Sequence, residues 1–246
     1  MLAQLIMELD GDPVHYMMSS NLQGVIYENI DSEYVDELHA NRLHPYSQCL
    51  LRENEKCFWI IKTFTKNAFD KIILPLQNSR FREFSIKNGT CHCEVRKKTL
   101  ITENREDLYR EFCEEAGRKY ITLEFLTPTS FRQNNHNIIF PDLRLIYQSL
   151  MNKYSSSSDS IEMFDQETLD QITEQSEIVN YNLKSVYFPM EGIKIPGFKG
   201  KITIKFGGSE TMSKYVKMLV RFGEYSGVGI KTAMGMGAIR IVERGK

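Results

Sequence analysis

Apolar residues recur along this chain in two alternating periods. Ala3 to Asp10 alternates weakly and predicts a first strand. Leu22, Val25, Ile26 and Ile30 fall at helical spacing. Asp31 and Ser32 offer an N-cap for a second short helix with Tyr34, Val35 and Leu38 on one side, ending near His39-Ala40-Asn41. Ser47 to Arg52 and Lys56 to Phe64 predict strands, the latter carrying Phe58, Trp59, Ile60 and Ile61. Thr65 caps a helix that Pro75 stops near Leu74. Arg82 to Lys87 and His92 to Thr99 predict two more strands, and Glu103 to Glu115 a helix with Leu108, Tyr109 and Phe112. Strand, helix, strand, strand, helix, strand, with additions, is the order of a ferredoxin-like unit.

The pattern then repeats. Ala116-Gly117 predicts a helix stop and a boundary. Tyr120 to Leu126 predicts a strand, followed after Thr127-Pro128-Thr129 by a polar loop, Arg132 to Asn137, and Ile138 to Phe140. Pro141-Asp142 opens a helix with Leu143, Ile146, Tyr147 and Leu150 at helical spacing, and Ser155 to Ser158 reads as a low-complexity loop. Val179 to Tyr187 and Lys199 to Phe206 predict strands joined by a turn at Pro196-Gly197. Ile202, Ile204 and Phe206 share one face of the latter, Lys201 and Lys205 the other. Ser209 caps a helix with Met212, Tyr215, Val216, Leu219 and Phe222, and Ala238 to Val242 closes the series as a strand. The expected fold is α+β: two tandem ferredoxin-like (RRM-like) domains, residues 1–116 and 117–246.

Composition sharpens this only locally. With 246 residues, 41% apolar, 26% charged and a net charge of −1, the chain reads as an ordinary globular protein. The charges are unevenly spread. From Asp159 to Glu191 acids dominate; from Lys194 to Lys246 bases outnumber Glu210, Glu224 and Glu243, a local field suited to phosphates. Five cysteines, no apolar run near the roughly 18 residues of a membrane span and no signal-like start predict a cytoplasmic chain with reduced thiols and no membrane. Cys91-His92-Cys93 has the wrong spacing for zinc, because alternate strand residues point apart, so no metal and no cofactor are expected.

The densest signal is Gly223 to Gly237, with Gly227, Gly229 and Gly235 between. Gly227-Val228-Gly229 resembles the start of a dinucleotide fingerprint, but a helix precedes it, a strand follows it and the chain ends at Lys246. No GK[ST] exists for a Walker loop. What remains is either a loop offering N–H groups and Lys231 to phosphates, or a packing turn between helix and sheet.

Gly223 through Gly237 closely resembles the carboxy-terminal glycine motif of the Cas endoribonucleases that mature CRISPR RNA. Phe125-Leu126-Thr127-Pro128-Thr129-Ser130-Phe131, then Phe140-Pro141-Asp142 through Ser149-Leu150, is similar to a second family signature, and Leu38-His39 with Pro45-Tyr46-Ser47 to a third. The resemblance implies an endoribonuclease of antiviral defense that binds CRISPR repeat RNA and cuts it once without metal. The 2′-OH attacks the adjacent phosphorus, leaving a 2′,3′-cyclic phosphate and a 5′-OH. Other Cas proteins of an effector complex and a homodimer are implied partners.

Such chemistry needs a base, an acid and a cation or donor for the phosphorane. The resemblance gives His39 the acid–base role, with His44 as its competitor; the other reading of His39 is a surface histidine favoured by a helix C-terminus. By the same resemblance Tyr27 positions the 2′-OH and Arg42 stabilises the phosphorane, although a lysine is the commoner residue near there. RNA binding falls to Lys199, Lys201, Lys205 and Lys231 with Gly227, Gly229, Gly235 and Gly237, joined by Arg132 and Arg144. The rival expectation is a non-catalytic repeat-binding subunit; a nucleotide-binding enzyme is opposed by the helix–loop–strand order.

Overall fold

A computed structural model describes residues 1–12, 14–41, 43–86, 89–157, 164–190 and 192–242. The first unit is an antiparallel sheet of β1 (Leu2–Gly11), β2 (Tyr46–Glu53), β3 (Lys56–Thr63), β4 (Glu83–Ile86) and β5 (Cys91–Glu103), in the order β2-β3-β1-β5-β4. β1 lies in the middle because alternate residues, Ala3, Leu5, Met7 and Leu9, are apolar and bury toward the helices. Helices α1 (Asn21–Glu28) and α2 (Ser32–Ala40) connect β1 to β2. The Asp31 side chain caps α2, accepting from Glu33 N and Tyr34 N; such a cap contributes about 1 kcal/mol. Leu22, Val25 and Ile26 pack with Trp59 and Phe84, and the Trp59 indole N–H donates to Gln48 Oε1 at 2.7 Å.

Pro75 does not end its helix. The chain runs through α3 (Lys66–Ala68), a π-helical turn (Phe69–Ile73) and α4 (Leu74–Gln77). In the wider turn Leu74 N reaches back to Phe69 O, so Pro75 sits in the first turn of α4, where a missing N–H costs nothing.

After α5 (Arg105–Glu114) comes the second unit: β6 (Tyr120–Thr129), a hairpin of β7 (Phe131–Gln133) and β8 (His136–Ile138), α6 (Leu143–Ser156), α7 (Gln166–Glu174), β9 (Ser176–Met190), β10 (Ile193–Phe206), α8 (Glu210–Ser226) and β11 (Ile239–Val242). Its antiparallel sheet runs β11-β6-β10-β9. Leaving aside β4 and the hairpin, each unit thus places its last strand beside its first, then its third, then its second. This is the ferredoxin-like order, twice.

The structure corrects three local expectations here. Pro196 and Gly197 lie inside β10, opposite Tyr187 and Val186, and not in a turn. Pro196 is tolerated because β6 pairs with β10 only from Phe198 onward, and a Cβ on Gly197 would sit 2.5 Å from Thr129 O. The polar stretch after Thr129 is a hairpin, turned by Asn134 and Asn135 at φ 48° and 63°, where asparagine is tolerated. Finally, α7 was not foreseen: it buries only Leu169 and Ile172 amid acids. Ser155 and Ser156 close α6, and Ser158 lies outside the described residues.

The two units share a seam at the end of α8. Leu2, Phe64 and Leu108 pack with Met218, Phe222 and Tyr225. Lys62 donates to Glu224 O, Ser47 Oγ to Tyr225 O, and Tyr225 Oη to Glu103 Oε2 at 2.7 Å. The Arg221 guanidinium reaches Glu103, Glu111 and Glu224. Gripped in this way, α8 delivers the glycine stretch onto the helices of the first unit.

Candidate active site

His39 occupies the last turn of α2 and is exposed. Its ring meets Tyr27 of α1 edge-on, centroids 5.1 Å apart. One turn before Tyr27, Gln23 donates through Nε2 to Tyr27 Oη at 3.0 Å and to buried Tyr46 Oη at 3.2 Å. Burial raises the Tyr27 phenol and pushes Tyr46 well above its ordinary value, so both stay protonated at neutral pH. His44 stands 5.7 Å from Tyr46, ring to ring. Its Nδ1 is buried and has no hydrogen-bond partner among the described residues. Burial, then His39, then Lys231 hold His44 below its ordinary value, which favours a neutral, proton-accepting imidazole. The sequence reading set His39 and His44 as competitors; the fold places both at one site.

The glycine stretch meets this cluster from the other side. Its N–H groups largely turn inward: Val228 to Gly237 O, Gly237 to Pro128 O, Ile230 to Ser130 O, Gly229 to Ser149 Oγ and Ala238 to Thr127 Oγ1, all within 2.8–3.0 Å. Thus the Thr127–Ser130 signature and the glycine motif are one packed object. Gly229 (φ 79°) and Gly237 (φ 69°) are required there, because a Cβ would meet Ser130 O at 2.3 Å or Val228 O at 2.0 Å. Gly227 at φ 64° closes α8 and faces Thr232, while a Cβ on Gly235 would strike Ser19 of the first unit at 2.3 Å.

Beneath the loop, fully buried Lys153 of α6 donates to Ser226 O and Gly227 O at 3.1 Å and Thr232 Oγ1 at 3.2 Å. Burial pulls its ammonium down to about 7; three oxygen acceptors, matching its three donors, pull the other way. Gln48 ties the loop to the first unit, donating to Ala233 O and Ser19 O at 3.1 Å. Lys231, at φ 57°, is the exposed tip. It shares with His44, Gln23 and Leu43 a cavity of ≈ 300 Å³.

The other expected residues lie elsewhere. Lys199, Lys201 and Lys205 line the helix-free face of the second sheet, along β10. Lys199 sits over the Tyr16 ring at 5.0 Å, and burial, then Lys184 opposite it, lowers its ammonium. Lys201 faces Glu124 at 3.5 Å, and Lys205 pairs with Glu177. Arg132 lines a shallow groove with Gly229 and Leu43, whereas Arg144 is paired with Asp170. Arg42 lies outside the described residues. No group of side chains suited to a metal ion occurs among the described residues. The sequence assigned no role to Gln23, Tyr46 or Lys153; Gln23, four residues before Tyr27 on one helix face, and Tyr46, inside the Pro45-Tyr46-Ser47 signature, left a signal, and Lys153 left none.

Two ferredoxin-like units whose loop and helices close on a histidine–tyrosine–lysine cluster define an α+β protein with candidate acid–base groups where the units meet. Residues 123–239 match the model of the CRISPR-associated endoribonuclease Cas6 family. The chain is 37% identical over 227 residues to a CRISPR-associated endoribonuclease Cas6 of Streptococcus thermophilus, covering 92% of each. It is 33% identical over 225 residues to one of Mycobacterium tuberculosis, covering 91% of this chain and 71% of that protein. The chain belongs to the Cas6 family and is an endoribonuclease. The fold agrees with solved structures: a Cas6 product complex (TM-score 0.82, 18% identity, 98% of this chain and 99% of that one) and Thermus thermophilus Cas6 (TM-score 0.73, 22% identity, 98% of each).

Proposed function

We propose that this endoribonuclease matures CRISPR RNA, cutting the repeat by attack of the RNA's own 2′-OH, without a metal ion. The convergence of His39, Tyr27, His44 and Lys231 at the meeting of the two units carries this reading. His44, held neutral, is suited to take the 2′-OH proton. His39, exposed at the rim, is suited to give one to the departing 5′-oxygen. Tyr27 orients the 2′-OH as a phenol donor, and Lys231 with Arg42 neutralises the phosphorane. DNA lacks the nucleophile and is not cut. Residues 1–116 supply the acid–base groups. Residues 117–246 hold the RNA, through Lys199, Lys201 and Lys205 and through the loop that Gly227, Gly229, Gly235 and Gly237 shape. The setting is the cytoplasm, where thiols stay reduced.

The test is the cognate repeat incubated in EDTA. One cut is expected, with a 2′,3′-cyclic phosphate on the upstream product. His39→Ala should abolish the cut while the RNA still binds. Cutting at the wild-type rate by that variant would overturn the role of His39.

A further inference from the structure

Beside the cavity beneath the glycine loop lies a groove of ≈ 940 Å³ between α2, the start of α3, α5 and the end of α6, within the range of small-ligand clefts, about 300–1,000 Å³. Leu43, 44% exposed, lines both it and the cavity holding His44 and Lys231. A strand of RNA leaving the His44 side over Leu43 therefore enters this groove.

Its walls suit a base better than a phosphate. Tyr109 is 58% exposed, with its ring laid along Phe112 and its outer side toward solvent. Arg105 stacks on Tyr154 at 4.6 Å and donates to Ser157 O at 2.9 Å, so its plane is fixed. Asn41 and Asn67 supply amides. The floor holds an anomaly. Tyr34 is 3% exposed, lines the groove, and its hydroxyl has no hydrogen-bond partner among the described residues. A buried hydroxyl without a partner carries a standing penalty, which a ligand with a polar edge removes. Aromatic faces, a fixed guanidinium, side-chain amides and one unanswered hydroxyl are the equipment of a single-stranded base site.

We propose that this groove is a nucleoside subsite, which takes one unpaired base flanking the cleaved bond, stacks it on Tyr109 and reads its edge with the Tyr34 hydroxyl. The subsite rests on the RNA-cleaving reading above.

The experiment compares cleavage rates of the cognate repeat with those of repeats carrying a single abasic residue at each position within a few nucleotides of the cut. For the wild type, one position should slow cleavage about tenfold. In Tyr34→Phe and in Tyr109→Ala that gap should collapse below about twofold. A purely structural Tyr34 would change the rates of both RNAs together and leave the gap intact. A gap that persists in both variants, or no gap at any position, overturns the subsite while leaving the endoribonuclease reading in place. Failure of the wild type to cut the intact repeat overturns both.

Discussion

At the scale of the residue, His44 is one constrained group of the site. Its folded form binds protons less readily than the ordinary 6.5 of the unfolded chain. Between the two values the unfolded state holds more protons, so stability rises with pH through the window just below 6.5. Urea midpoints should therefore fall between about pH 7.5 and about pH 5, and His44→Gln should flatten that part of the curve. Gly237 is the second such residue. An alanine there would sit at φ 69° against Val228 O. Gly237→Ala should cost on the order of 2–4 kcal/mol, measured by denaturant unfolding, and should reduce cleavage with it.

At the scale of the element, Lys153 joins α6 to the glycine loop by three hydrogen bonds. Lys153→Met keeps the apolar stem but removes the ammonium from Ser226 O, Gly227 O and Thr232 Oγ1, leaving Gly227 O the Ser226 hydroxyl alone. We expect a loss of roughly 3 kcal/mol, from unfolding curves. At temperatures where the variant is still folded, cleavage should fall more than repeat affinity, because the β10 lysines are untouched. Elements also show how far the sequence was legible. The repeated strand–helix order and the caps at Asp31, Thr65 and Ser209 were readable, because caps and periods are local. Pro75 misled because a π-helical turn makes room for it. Pro196-Gly197 misled because only the pairing offset of β6 shows that no donor is needed there. In the proposed site, family resemblance named His39 and Tyr27, whose rings meet at 5.1 Å. It did not name Lys153: a lysine among the polar residues of α6 looks solvated until three distant oxygens are seen around it.

At the scale of the molecule, a protein of net charge −1 must bind a polyanion by local arrangement. The helix-free face of the second sheet carries Lys184, Lys199 and Lys201, with Glu124 and Glu177 close by. Lys201→Ala should lower the slope of log affinity against log salt by about 0.7–0.9, in filter-binding or fluorescence titrations, without changing the cut position. The seam described above has a further consequence. Lys231 reaches His44 only because the end of α8 is locked against β2, β3 and β5 through Ser47, Lys62 and Glu103. During synthesis the segment bearing His39 and His44 emerges before Lys231, which completes the cluster. A half-made chain thus carries imidazoles without their cation. On the proposed reading, cleavage of RNA therefore awaits Lys231 and the closure of the glycine stretch onto the first unit.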